Sequence, residues 1–412
     1  MLLALLGAAI LAITCISAQP SYSRLAFDAP ASSTTPAPRS GGIVLSLSDM
    51  EMIALSGGCS SSCCYAPLSD IWVYTINRNE WTNVSVQSGT PSLPSARLYH
   101  GATSAATNNS FYIFGGNDIA TGMLNDLWLL TLITPATPTA EWTAQWKLVN
   151  AGTGPQVPGV RAGHSQNALP STSSSRGNFD GSFIIYGGES EESTLSDVWI
   201  YNATTFNQVT IDGSNVGPGA RAQHAALIVL LPLPDGAGFV RALVISGGSD
   251  NDGNDLSDVW LLALNNNVLP STWLKLGDSN SNVATGDSSW PSVRHGHSIW
   301  SAPTESGSSI LSFNLFGGQN SSISDPSNFH NDTWSFSVTL SITSDGNISL
   351  SNGQEGVFQL INTIISPSPR ALGGLVTDTV HFGNAIYASG FSGYNGGTDD
   401  RLHNDVWRIT QS

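Results

Sequence analysis

Little in this sequence could neutralise a polyanion. Lys and Arg together number 14 against 30 Asp and Glu, for a net charge of −16 over 412 residues. Six of those basic residues sit in a repeated motif (Arg39, Arg97, Arg161, Arg221, Arg294, Arg370). No basic patch remains for phosphates, which excludes nucleic acid and anionic membrane surfaces as partners. Charged residues of all kinds reach only 11%, while Gly number 42 and Ser, Thr and Asn abound. Solvated helices need more charge than this, so short strands and tight turns are expected. Cysteine is scarce too, at four residues. Cys59, Cys63 and Cys64 share one loop with no nearby His, so the reading is a loop staple, Cys59 with Cys63 or Cys64, and not a metal site.

Long apolar runs are likewise missing after the first residues. Leu2 to Ile16 is the one such stretch, and Ser17-Ala18 follows with small side chains. Residues 1–18 read as a secretory signal peptide, although Lys and Arg are absent ahead of the run. An uncleaved anchor is the alternative; the run is slightly short for a membrane span, and no later stretch approaches about 20 apolar residues. Secretion without membrane insertion after cleavage is the expectation. Six Asn-x-Ser/Thr sequons fit a secreted glycoprotein, at Asn83, Asn108, Asn202, Asn320, Asn331 and Asn347.

What the chain does contain is a repeat. Between Arg97 and Val149, four short apolar runs are separated by polar or Gly-rich turns, the pattern of four antiparallel strands, A to D. Gly-Gly closes strand B at Gly57-Gly58, Gly115-Gly116, Gly187-Gly188, Gly247-Gly248 and Gly317-Gly318, with a looser copy at Ser389-Gly390. Asp-x-Trp opens strand C in each copy: Asp70/Trp72, Asp126/Trp128, Asp197/Trp199, Asp258/Trp260, Asp332/Trp334 and Asp405/Trp407. Arg-x-x-His precedes strand A at Arg97/His100, Arg161/His164, Arg221/His224 and Arg294/His297, while Arg39 and Arg370 are followed at that position by Gly42 and Gly373. Successive Gly-Gly positions lie 58 to 72 residues apart.

This three-part signature resembles the kelch family, whose repeat is roughly 50 residues long. The resemblance implies an all-β fold, a six-bladed kelch β-propeller, with blades at about 39–84, 97–149, 161–209, 221–276, 294–361 and 370–412. One four-stranded sheet cannot bury both faces alone, so the copies must stack around an axis. The last copy stops after strand C. Tyr22-Ser-Arg-Leu25 repeats the aromatic-x-x-aliphatic spacing of the other D strands, so residues 19–38 are read as the missing outer strand and a Pro-rich linker that close the ring.

Residues repeated in every blade are expected to be structural. Gly-Gly permits positive φ and close approach. Trp fills space between blades, Asp accepts amides of the preceding turn, and the Arg fork bonds carbonyls or an Asp. Function should lie where the copies differ, in the loops. The B–C and D–A loops share one face, and that face is the expected binding surface. Its candidates are Glu189 and Glu191 (with Glu192) in blade 3, Asp250, Asp252 and Asp255 in blade 4, and Tyr394, Asp399 and Arg401 in blade 6. Asp250 to Asp255 departs from a calcium loop of the EF-hand type, with Asp255 where Gly is required and Leu261 where Glu is required.

The reading is a binding module for an extracellular protein or glycan, with no cofactor and no assigned catalytic residue. The alternative is a carbohydrate-active enzyme with its site at the axial mouth, like the sialic-acid mutarotases or the galactose-oxidase type. The copper radical site of the latter needs a Tyr–Cys crosslink, a second Tyr and two His; here four of the eight His are repeat residues and no matching set exists. The Glu-x3-Asp-x3-His iron spacing of nitrile-specifier-like kelch proteins does not occur either.

Overall fold

The computed structural model describes residues 19–27, 31–47, 52–60, 67–135, 141–154, 156–170, 179–212, 217–234, 236, 238–264, 271–279, 290–302, 308–320, 328–377, 385–391 and 402–411. The signal-peptide reading of residues 1–18 lies outside them. The B strands carry near-continuous apolar runs because both faces are covered. Phe111, Ile113 and Phe114 in blade 2, and Leu243, Val244 and Ile245 in blade 4, are each at most 2% exposed.

Six antiparallel sheets follow in chain order. Blade 1 comprises Ile43–Leu47, Met52–Ser56, Ile71–Thr75 and Glu80–Asn83 as strands A to D. Blade 2 comprises Gly101–Ser104, Ser110–Asp118, Gly122–Ile133 and Thr143–Asn150. Blade 3 comprises Ser165–Pro170, Phe179–Tyr186, Val198–Tyr201 and Phe206–Gln208. Blade 4 comprises Ala225–Pro232, Phe239–Ser249, Asp255–Leu264 and Trp273–Gly277. Blade 5 comprises Ser298–Ser301, Ile310–Phe316, Thr333–Ile342 and Val357–Ile361, with Ile348–Leu350 folded back on its long strand C. The A strands touch one another in a closed circuit from blade 1 through blade 6 and back to blade 1.

Blade 6 takes Gly374–Thr377, Ala385–Phe391 and Leu402–Gln411 from the end of the chain, and its outer strand is Pro20–Ala26. The register pairs Tyr22 with Ile409 and Arg24 with Trp407. Closure is reinforced by side chains. The Tyr22 hydroxyl bonds Thr333 Oγ1 of blade 5 at 2.8 Å, and the Arg24 guanidinium lies 4.6 Å from the Trp407 ring centre. The six-bladed ring with an N-terminal closing strand is therefore the fold.

Six apolar clusters fill the gaps between neighbouring blades, and each holds one signature Trp. Trp72 stands among Leu55, Tyr74 and Ile386, Trp128 among Leu45, Val73 and Leu130, and Trp260 among Ile184, Leu243 and Trp273. Trp334 packs with Val244, Leu276 and Phe358, Trp199 with Phe114 and Phe183, and Trp407 with Tyr22 and Trp300. All six are 3–9% exposed. Each buried aromatic contributes about 1.5–3 kcal/mol. The outer edges carry straps that the repeat pattern does not announce. After strand D of blade 1 the chain runs on as Ser85–Val86 and pairs in parallel with blade 2. Ile211 does the same with Ser271, carrying blade 3 onto blade 4. These short straps cover edge amides that would otherwise be free to pair with another chain.

Candidate binding face

The repeated polar residues form one device per blade. In blade 3, Arg161 donates to Asp197 through both terminal nitrogens at 2.8 Å and to the Gly187 carbonyl at 3.0 Å. The Trp199 indole N–H reaches the same carboxylate at 2.6 Å. The same arrangement recurs for Asp70, Asp126, Asp258, Asp332 and Asp405 with their own Arg. Side chains, more than amides of the preceding turn, are thus the main partners of these Asp residues. A bidentate pair satisfies a buried guanidinium better than scattered amides could.

The Trp residues have a second part to play besides packing. They fill the space between blades, but they are not fillers alone. Trp72 donates its indole N–H to Asp70, Trp128 to Asp126 and Trp334 to Asp332, each at 2.6 Å. Trp260 donates to Asp258 and Trp407 to Asp405, both at 2.7 Å. The physical reason is the two-residue spacing, which sets Asp and Trp on one side of strand C, and a buried indole N–H needs an acceptor there. Burial would raise the carboxyl pKa of Asp70, Asp197 and Asp332, but the adjacent guanidinium outweighs it and holds each below its ordinary value.

Gly-Gly links each blade to the next. The second Gly donates its N–H to the carbonyl of the following blade's Arg, from Gly58 to Arg97 at 3.0 Å around to Gly390 and Arg39 at 3.0 Å. Its φ is positive in every copy, from 89° at Gly58 to 120° at Gly390.

At the axis, on the face of the B–C and D–A loops, a second circuit closes. Tyr99 donates its amide to the Gly41 carbonyl, Gly163 to Tyr99, Gln223 to Gly163, Gly296 to Gln223, Leu372 to Gly296, and Gly41 to Leu372, all at 2.8–3.1 Å. Each of these residues holds φ between 52° and 64°. Gly alternates strictly with a larger residue around this ring. A Cβ on Gly41 would lie 2.7 Å from the Tyr99 ring, one on Gly296 2.9 Å from Leu372, and one on Gly163 3.2 Å from Gln223. Three half-buried side chains of different chemistry (a phenol, an amide and an isobutyl group) therefore lie over three glycines and floor the axial mouth. Sequence reasoning passed over Tyr99, Gln223 and Leu372. The signal was the third position of each Arg-x-x-His copy, where Gly and non-Gly take turns.

Four repeat histidines lie just beneath. His100, His164, His224 and His297 are 6–8% exposed. Burial, with the neighbouring Arg charges, drives their pKa values down, to about 3 for His100 and His224 and well below the ordinary value for the other two. They are neutral wedges between blades, as a structural role requires.

The loop candidates are placed as follows. Glu189 is half-buried and pairs through its backbone with Ala162 at 2.8 and 3.0 Å. Glu191 is exposed beside Gly122 of blade 2. Asp250 accepts the amides of Asp252 and Asn254 at 2.9 Å each and the Asn254 side chain at 3.1 Å; burial pushes its carboxyl pKa up, but these bonds together outweigh it and hold it below the ordinary value. Asp252 is exposed. The Asn251 side chain accepts the Thr194 amide at 3.1 Å, joining the blade 3 and blade 4 loops. Asp255 sits apart from this turn, 2.5 Å from His295 Nδ1, and His295 Nε2 meets Gln319 Nε2 at 2.7 Å. Gln319 opens the variable B–C loop of blade 5, residues 319–330, on the candidate face; His295 was not among the sequence candidates, although only blade 5 has a His directly after the repeat Arg. Tyr394, Asp399, Arg401, Cys63 and Cys64 lie outside the described residues. Among the described residues no group of three or more His, Cys, Asp or Glu is disposed to hold a metal ion.

Of the sequons, Asn83, Asn108, Asn202, Asn331 and Asn347 are exposed and Asn320 is half-buried. Asn108, Asn202 and Asn347 sit in A–B or C–D turns, on the face opposite the axial ring.

Comparison with known proteins agrees with this architecture. A family model described as the KLHDC2/KLHL20/DRC7 Kelch-repeats domain matches residues 51–231. The tRNA wybutosine-synthesizing protein 4 of Emericella nidulans is 26% identical over 200 residues, covering 47% of this chain and 16% of that protein. Kelch domain-containing protein 1 of Homo sapiens is 29% identical over 137 residues, covering 33% of this chain and 28% of that protein. The matched segments thus span less than a third of either relative. With the three-part signature in six copies, the closed ring and these matches together, the chain is a member of the kelch-repeat β-propeller family.

Proposed function

We propose that this chain is a secreted interaction module that binds a partner protein through the face of its B–C and D–A loops. The observation that carries this reading is the hydrogen-bonded ring of Gly41, Tyr99, Gly163, Gln223, Gly296 and Leu372. It sets three larger side chains, Tyr99, Gln223 and Leu372, over three glycines on the face of the variable loops. A Tyr at the centre of such a surface is a residue type on which interfaces concentrate their energy. A protein fits better than a glycan, because the described loops carry exposed carboxylates at Glu191, Glu192 and Asp252 that complement Lys and Arg. Asn108, Asn202 and Asn347 on the opposite face would carry glycans without covering this one.

Secretion belongs to the same reading and rests on the apolar run from Leu2 to Ile16 and the sequons. A disulfide from Cys59 to Cys63 or Cys64 also belongs to it, and the burial of Cys59, 1% exposed, supports a loop staple there. Two measurements test the proposal. Expression in a eukaryotic host should release protein whose N-terminus begins near Gln19 and whose mass falls on removal of N-glycans. Retention in the cytosol with Met1 intact would overturn secretion. Peptides selected from a random display library against the intact protein should protect the 97–101, 161–165, 189–195 and 221–225 amides from hydrogen exchange. Protection confined to the opposite face or to the outer strands would overturn the binding-face assignment.

A further inference from the structure

Blades 3 and 5 meet the same local requirement in different ways. In each, the residue after Gly-Gly pairs through its backbone with the residue after the repeat Arg: Glu189 with Ala162, and Gln319 with His295. The preceding blade contributes a third position, set by equivalent register. It is Asp255 opposite Ser249 in blade 4, and Met123 opposite Asn117 in blade 2. The gap between blades 4 and 5 is thus lined by Asp255, His295 and Gln319. The gap between blades 2 and 3 is lined by Met123, Ala162 and Glu189.

The first set satisfies itself. His295 Nδ1 lies 2.5 Å from Asp255, whose side chain is 2% exposed, and Nε2 lies 2.7 Å from Gln319. The second set has a carboxylate and nothing to answer it. Met123 and Ala162 carry no donor, and among the described residues the Glu189 carboxylate has no hydrogen-bond or ion-pair partner. Burial alone raises its pKa. Glu189 stands next to the axial ring, because its backbone pairs with Ala162 and Gly163 follows in the chain; its charge adds to the burial that pushes the Tyr99 phenol up to about 12. A half-desolvated carboxylate without a donor costs stability that a cation would return.

We propose that Glu189 is the anchor for a Lys or Arg side chain of the partner protein, the cation donating to Glu189 as His295 Nδ1 donates to Asp255. This rests on the binding-face reading above and adds the chemistry that the partner must present. The test uses the full-length protein panned with a random dodecapeptide display library, as wild type, Glu189→Gln, Ala162→His and the opposite-face control Glu80→Gln. Wild type and Glu80→Gln should enrich Lys or Arg at one position. Glu189→Gln should lose that enrichment and bind the best peptide about tenfold more weakly, equivalent to about 1.4 kcal/mol. Ala162→His supplies an internal imidazole and should also lose the enrichment; circular dichroism and the isosteric Glu189→Gln guard against misfolding.

Unchanged enrichment and affinity in Glu189→Gln would overturn the anchor, and so would a library that yields no enriched peptide on wild type. If such peptides still protect the axial face, the anchor falls and the binding face stands. Protection elsewhere removes both.

Discussion

The ring of Tyr99 occupies the space in which Gly41 would carry a side chain, with Tyr99 Cε1 2.7 Å from the position of that Cβ. The two residues belong to different blades, are joined by a 2.8 Å backbone hydrogen bond, and hold φ at 54° and 64°. Gly41→Ala should therefore be destabilised twice, by the left-handed backbone and by the collision. A loss of about 2–3 kcal/mol is expected in urea unfolding. The double change Gly41→Ala with Tyr99→Gly should recover more than half of it. Strict additivity of the two single changes would show that the pair is not coupled in this way.

The Arg–Asp–Trp device predicts a large penalty for half-removal. Asp197→Asn leaves the guanidinium of Arg161, 1% exposed in its side chain, without its counter-charge. Equilibrium unfolding should show a loss of about 3–5 kcal/mol. Trp199→Phe removes only the indole N–H from the same carboxylate and should cost about 1 kcal/mol beyond its packing loss. Comparable losses for the two would mean that the carboxylate does not carry the charge balance assigned to it.

Ring closure is testable at its outermost strand. Deletion of residues 19–27 removes Tyr22 and Arg24 and exposes the unpaired edge of Leu402–Gln411. The thermal midpoint should drop and the protein should self-associate on a sizing column, because the edge becomes available for pairing. Tyr22→Phe keeps the strand and loses only the 2.8 Å bond to Thr333, for about 1 kcal/mol. A deletion with unchanged melting would remove the strand from any closing role.

The buried histidines set an acid limit. Their folded pKa values lie below 6.5, at about 3 for His100 and His224, so the unfolded chain takes up protons first as pH falls. Stability is complete above about pH 6.5 and is lost progressively toward pH 3, by up to about 1.4 kcal/mol per histidine per pH unit. The Arg-paired Asp70, Asp197 and Asp332 contribute stability that disappears only below about pH 4. Thermal midpoints measured from pH 7 to pH 5 should fall, and His100→Gln with His224→Gln should flatten the slope. A flat wild-type profile over that range would contradict neutral burial.

Much of the architecture was legible because it is written six times. The Gly-Gly and Asp-x-Trp copies mark strands B and C in every blade, and Tyr22 to Leu25 could be matched to the other D strands by spacing. The spacing of Asp and Trp also put them on one face, yet the bond between them was missed because size alone suggested a filler. The candidate face was readable only in outline. Glu189 and Asp255 stood out as carboxylates in variable loops, but their fates are decided by residues from neighbouring blades: Ala162 and Met123 in one gap, His295 and Gln319 in the other. Such partners lie tens of residues away, at positions given meaning only by register. The alternation of Gly with Tyr99, Gln223 and Leu372 was visible in principle. It acquires a reason only once the six amides are known to bond in a circle.

Closure by Pro20–Ala26 has a consequence for how the molecule is made. Ser21 and its partner Thr410 are 389 residues apart in the chain. At a synthesis rate of roughly 5–20 residues per second, the strand waits about 20–80 s on the growing polypeptide before its neighbour exists. During that time the lone strand must avoid other pairings while five sheets assemble ahead of it. The first-made strand of the six sheets is therefore the last to find its place, and the circle becomes whole only once Leu402–Gln411 has been made.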